Sequence, residues 1–168
     1  MLIRRERPVD HAAVDAVHEA AFGRRAEADL LSALRRGPWW VPELSLVAEG
    51  ATGSGGGGIT GHVVTTRGTL GAEPALGLGP IGVAPAAQGR GIGTALVHAV
   101  LAAAEARGET LVAVLGDPAF YRRFGFRPST ELGITAPDPA WGTSFQARRL
   151  AGRERVGPFR YAAPFDTL

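Results

Sequence analysis

Apolar residues fall in short runs that switch between a period of two and a period near 3.6, and most runs break at Gly or Pro. Leu2 to Arg5 reads as a short edge-like strand ended by Pro8. Asp10 stands where a helix cap belongs, ahead of Val14, Val17, His18 and Ala21 at helical spacing, and Phe22-Gly23 ends that helix. A second helix is expected from about Arg24 to Arg36, with Leu30, Leu31 and Leu34 on one face and Gly37-Pro38 closing it. Leu44 to Glu49 and Ile59 to Arg67 read as two strands. The loop ATGSGGGG between them has the composition of a long, flexible hairpin connection.

The run Ala75 to Val83, ALGLGPIGV, breaks the strand rule in an informative way. Leu76 and Leu78 alternate with glycines on even positions, whereas Ile81 and Val83 carry the alternation on odd ones. A strand has a period of two, so the switch of parity marks one inserted residue at Gly79-Pro80: a β-bulge. A bulge would push this strand from its neighbour and leave unpaired backbone groups that a ligand could use. A kinked edge strand accounts for the same pattern.

After Val83-Ala84-Pro85, the run Gln88-Gly89-Arg90-Gly91-Ile92-Gly93 opens a long helix to about Arg107. Ile92, Ala95, Leu96, Ala99, Val100 and Ala103 share an apolar face, and Gly108 is placed as its stop. A buried strand from Thr110 to Leu115 follows, then a short helix through Phe120 and Tyr121, then Phe124-Gly125-Phe126. Strand-like pieces recur near Glu131 to Thr135, Ser144 to Leu150 and Phe159 to Tyr161. The order predicts a mixed α/β fold, one layered sheet flanked by helices, in a single domain over residues 1–168.

Composition narrows the chemistry. Cysteine is absent, which removes disulfides, thiolate nucleophiles and Cys-ligated zinc. All 18 basic residues are Arg, so Schiff-base chemistry and a P-loop lysine are excluded as well. A computed pI of 9.9 suggests a nucleic-acid partner, but the net charge is only +2 and the arginines form scattered doublets rather than a patch. No stretch nears the roughly 18 apolar residues of a spanning helix, and the start lacks a secretory apolar core. A soluble cytoplasmic protein, with no membrane or nucleic-acid partner and no metal, is expected.

A strand feeding a glycine-rich turn at a helix N-terminus makes an anion site, because the first-turn N–H groups lack partners and the dipole favours negative charge. Gly89, Gly91 and Gly93 would let a phosphate approach, with Gln88 and Arg90 as side-chain donors. The spacing alone is weak, since such helix starts also serve tight packing. A Walker A loop fails for want of lysine. A Rossmann fingerprint fails because Glu109 begins its strand instead of ending it.

The run LGPIGVAPAAQGRGIGTALV resembles the acetyl-CoA signature of the GNAT acyltransferase superfamily, Q/R-x-x-G-x-G/A after a bulged strand, here Gln88, Gly91 and Gly93. LGDPAFYRRFGF is similar to its second motif, a tyrosine on a short helix before a Gly-Phe pair. The superfamily has an Asn several residues further upstream of that tyrosine; here Asp117-Pro118 stands only four before it, so the loop is shorter. Weaker matches at residues 27–30 and 41–48 resemble a bacterial branch of predicted N-acetyltransferases.

The resemblance implies the GNAT fold, a mostly antiparallel sheet with a splayed strand. It implies acetyl-CoA as co-substrate and a primary amine, by preference a small molecule, as acceptor in a ternary complex. Pantetheine would pair with backbone at Ile81 and Val83, and pyrophosphate would sit on the N–H groups of Gly89, Arg90, Gly91, Ile92, Gly93 and Thr94. Dimerisation is common in the superfamily, and a degenerate member would bind acyl-CoA without turnover. Tyr121 is the expected proton donor to the departing thiolate. The base is left open among His62 on a strand, Glu27 beside an apolar helix face, and a water relay. Trp39-Trp40 would line the acceptor cleft or pack in the core.

Overall fold

The structure is a computed structural model that describes residues 1–50 and 57–168. Most of the ATGSGGGG loop therefore lies outside the described residues. In chain order the strands are β1 (Leu2–Arg5), β2 (Ser45–Glu49), β3 (Ile59–Leu70), β4 (Glu73–Val83), β5 (Leu111–Leu115), β6 (Arg127–Pro128), β7 (Ile134–Thr135), β8 (Phe145–Arg149) and β9 (Gly157–Arg160). The helices are α1 (His11–Phe22), α2 (Ala26–Arg35), α3 (Ile92–Ala106) and α4 (Pro118–Tyr121). The main sheet runs β1-β2-β3-β4-β5-β8-β6, with β9 joining β3 beside the β3–β4 hairpin and β7 pairing with β9. Its neighbours are antiparallel except β4 and β5, which run parallel, so the sheet is mixed and mostly antiparallel as expected.

The parity switch in β4 is a real bulge. Val63 of β3 faces Ile81 and Thr65 faces Leu78, so two steps on β3 match three on β4. The extra residue keeps Leu76, Leu78, Ile81 and Val83 all against the α3 core despite the change from even to odd positions. On the other face, α1 and α2 cover Val47 and Val64 through Val14 and Leu31. Gly82 lets His18 of α1 lie against the strand, since a Cβ there would sit 3.0 Å from the imidazole Nδ1.

Several local expectations shift. Asp10 does not cap α1 with its side chain; it accepts from the Arg7 N–H (2.7 Å) and from Arg4 (2.7 and 2.9 Å), closing the turn before the helix. The buried arc of α3 is Ile92, Leu96, Val97, Val100, Leu101 and Ala104, with Ala95, Ala99 and Ala103 only partly buried: large side chains win the centre of the interface over small ones. Gly108 does stop the helix, in the left-handed region at φ +76°. Glu131 and Leu132 lie in a 3₁₀ turn instead of a strand. Among the described residues no helix is long and apolar enough to cross a membrane.

Candidate active site

The register of β4 with β5 covers only Leu76–Leu78, so the strand beyond the bulge has no β5 partner. Ala84 donates its N–H to the Thr60 carbonyl of the β3 side at 2.9 Å. Backbone groups alternate along a strand, so the polar groups of Ile81 and Val83 turn away from β3 into this gap. The Val83 carbonyl is taken by Gln88, whose Nε2 donates to it at 3.0 Å. The Val83 N–H and both backbone groups of Ile81 are left facing the opening.

A 3₁₀ turn at Pro85–Ala87 leads to Gly89 and Gly91, at φ +74° and +79°, and α3 begins at Ile92. The first helical bond runs from Ala95 N–H to the Gly91 carbonyl at 2.9 Å, leaving the N–H groups of Ile92, Gly93 and Thr94 without intrahelical partners. A Cβ at Gly89 or Gly91 would meet nothing within 4 Å. Both glycines hold a left-handed backbone that residues with side chains rarely adopt. Arg90 is exposed and off the cleft wall, and Gln88 spends its amide on Val83.

These elements enclose a cleft of about 600 Å³. Ile81, Val83, Gln88, Gly89, Gly91, Ile92, Gly93, Thr94 and Tyr121 all line it, so the expected cofactor-binding residues, Arg90 excepted, converge with the expected proton donor. Ala21 and Phe22 of α1 and Gly82 complete it on the other face of the sheet. Tyr121 is held by aromatic neighbours, with centroids 5.0 Å from Phe120 and 5.6 Å from Phe126. Burial pushes its phenol up to about 12, so it stays protonated through the neutral range. Asp117 accepts from Ala119 N–H at 2.8 Å and caps the short helix carrying this tyrosine.

The acetyltransferase (GNAT) domain family matches residues 42–128. The N-acetyltransferase YhbS of Escherichia coli K12 is 33% identical over 153 residues, covering 90% of this chain and 88% of its own. The chain belongs to the GNAT acetyltransferase family. The crystal structure of E. coli YhbS in complex with CoA superposes with a TM-score of 0.88 at 31% identity, covering 98% of this chain and 91% of that one. A Brucella melitensis GNAT acetyltransferase in complex with acetyl-CoA gives 0.80 at 34% identity, covering 98% and 97%. The fold, the family and the acetyl-CoA-dependent N-acetyltransferase class implied by the motifs therefore stand.

In this acetyltransferase the candidate bases separate. Glu27 does not line the cleft; it is buried on α2 and paired with Arg24, with Oε1 2.5 Å from a guanidinium nitrogen. Trp39 and Trp40 pack against the α2 core instead of lining the cleft. Tyr161 lies over Gly77 among the C-terminal aromatics. His62 is not half-exposed as a sheet-face residue would be: it is fully buried, bonded to His18 at 2.9 Å and Ser45 at 2.9 Å. His18 and Gly116 escaped the sequence reading as site residues. A Cβ on Gly116 would sit 2.3 Å from the Tyr121 ring, so its bareness seats the phenol. Among the described residues no group of three or more His, Asp or Glu is placed to hold a metal ion.

Proposed function

We propose that this acetyltransferase moves an acetyl group from acetyl-CoA directly to a primary amine, with a small molecule favoured as acceptor. The observation that carries this reading is the pairing of the open Ile81–Val83 edge with the partnerless N–H groups of Ile92 to Thr94 in one cleft. The edge suits the amides of pantetheine, which can bond to Ile81 and Val83 as an added strand would. The α3 N-terminus, with Gly89 to Thr94, suits the pyrophosphate. The Val83 N–H is aimed into the gap where it can polarise the thioester carbonyl, an oxyanion-hole effect. A chain without Cys or Lys fits direct attack with no covalent enzyme intermediate.

Tyr121 supplies the proton to the departing CoA thiolate. Its raised phenol remains a donor at neutral pH, and its place on the wall of the same cleft as Ile81 and Val83 supports that role. The decisive experiment is calorimetric titration with acetyl-CoA against ATP as the matched control, followed by thiol release with a panel of amines. Binding of acetyl-CoA alone is expected. Tyr121→Phe should lower turnover about 10²-fold and leave acetyl-CoA affinity unchanged. Full turnover in that variant would remove Tyr121 as the acid, whereas binding without thiol release for any amine would favour an acyl-CoA sensor.

A further inference from the structure

A line of buried polar side chains leads from the α1 wall of the cleft into the protein. His18 Nε2 lies 2.9 Å from His62 Nδ1, and His62 Nε2 lies 2.9 Å from Ser45 Oγ. Ser45 Oγ donates to Glu6 Oε2 at 2.6 Å, and the other Glu6 oxygen accepts from Arg35 at 2.6 Å. Asp15, 3.0 Å from Arg35, and His11, 4.0 Å from Glu6, are the remaining ionisable groups around this line.

The carboxylate fixes every proton in the line. Burial alone would raise the Glu6 carboxyl, but His62, Ser45 and Arg35 outweigh it and hold the group down to about 2. A carboxylate only accepts, so Ser45 donates to it, and the serine oxygen must accept from His62 Nε2–H. His62 Nδ1 is then a bare acceptor for His18 Nε2–H. That leaves His18 Nδ1 with a lone pair, and this atom is buried without a partner. An unpaired buried acceptor is costly, and its retention calls for a use. It lies against Gly82, a cleft residue, and beneath Phe22, whose ring stacks 5.9 Å away and is 44% exposed on the cleft wall.

We infer that His18 Nδ1 is the base that takes the proton of the attacking amine through one water, with His62, Ser45 and Glu6 as positioning residues that keep its lone pair free. The inference rests on the acetyl-transfer reading above. As the C–N bond forms, an N–H bond of the amine breaks and one forms at His18 Nδ1. The His18 Nε2 proton passes to His62 Nδ1, and the positive charge rests on His62, whose Nε2 is 3.7 Å from a Glu6 oxygen. The reverse path returns the proton to solvent after product leaves. Burial, with His62 and Arg35, holds the His18 imidazole down to about 3, so it accepts only once bond formation has made the nitrogen acidic. The acidic limb of kcat/KM therefore follows the pKa of the amine used, not that of a histidine.

The test uses the full chain. Long-range proton–nitrogen NMR of the free protein should show both His18 and His62 carrying their proton on Nε2. A proton on Nδ1 of either ring overturns the relay. With acetyl-CoA and ethanolamine as the probe amine, His18→Gln should lose about 10²-fold in kcat with acetyl-CoA affinity retained. Hydroxylamine, neutral at pH 7 and giving an adduct that sheds its proton readily to water, should recover much of that loss. Glu6→Gln should keep the wild-type acetyl-CoA affinity but lower kcat and move its pH profile, and with the tautomers it carries the test if His18→Gln does not fold. Unchanged kcat and pH profile in folded variants would overturn the inference. Failure of wild type to release thiol with either nucleophile, while the tautomers are as expected, would instead count against acetyl transfer.

Discussion

At the scale of single residues, the site is built by what is missing as much as by what is present. The Tyr121 ring lies against Gly116, and a Cβ there would come within 2.3 Å of ring carbon Cε2. Gly116→Ala therefore has to displace the phenol from the cleft wall. The overpacking should cost about 1–3 kcal/mol of stability. Misplacing a catalytic group by about 1 Å can cost about 10²-fold in turnover, so this variant should approach Tyr121→Phe in rate. Because both changes act on one hydroxyl, Gly116→Ala in a Tyr121→Phe background should cost almost nothing further in kcat. Additive losses in thiol-release kinetics would separate Gly116 from the tyrosine's role.

At the scale of elements, the bulge opens the gap beside Ile81 and Val83. Deleting Gly79 removes the extra residue, so two steps on β4 match two on β3, and Leu76, Leu78, Ile81 and Val83 keep one face without a bulge. The strand beyond Leu78 would then lose the kink that turns it away from β5, and the gap that exposes the Ile81 and Val83 backbone would narrow. The deletion should lose acetyl-CoA binding in calorimetry while the chain still folds. Retained affinity would show that the Ile81–Val83 edge is not what binds.

This element was legible in the sequence because a parity switch is a strictly local signal. Most helices and strands, and the glycine turn before α3, were legible for the same reason. The relay was not. Glu6, His18, Ser45 and His62 come from four separate stretches, and β2–β3 pairing together with α1 packing brings them together. His62 alone reads as a polar residue on a strand, since nothing nearby announces a second imidazole 44 positions away. The buried arc of α3 lies about one residue from the arc its pattern predicts, because alternating Ala and Leu or Val give several overlapping apolar stripes and the facing sheet selects among them.

For the whole molecule, the buried relay makes stability depend on pH with a definite sign. The His18 imidazole ordinarily titrates near 6.5 but is held by burial to about 3 in the folded chain, and burial lowers His62 as well. Glu6 ordinarily titrates near 4.5 and is held to about 2. Arg4 and the Arg7 backbone hold Asp10 far below the carboxylate range. In each case the unfolded chain binds the proton at a higher pH than the folded one does, so acidification favours unfolding. The stabilisation is complete above about pH 6.5 and fades from there, first through the histidines and below about 4.5 through the carboxylates as well. Each histidine kept neutral by the fold contributes a slope of about 1.4 kcal/mol per pH unit in its window. Denaturant unfolding between pH 6 and 4.5 should thus show a steep fall in wild type, and His18→Gln should reduce the slope by about 1.4 kcal/mol per unit. An unchanged slope would mean that His18 is protonated as easily in the folded protein as in the unfolded chain, which a lone pair enclosed beside Arg35 and a second imidazole does not allow.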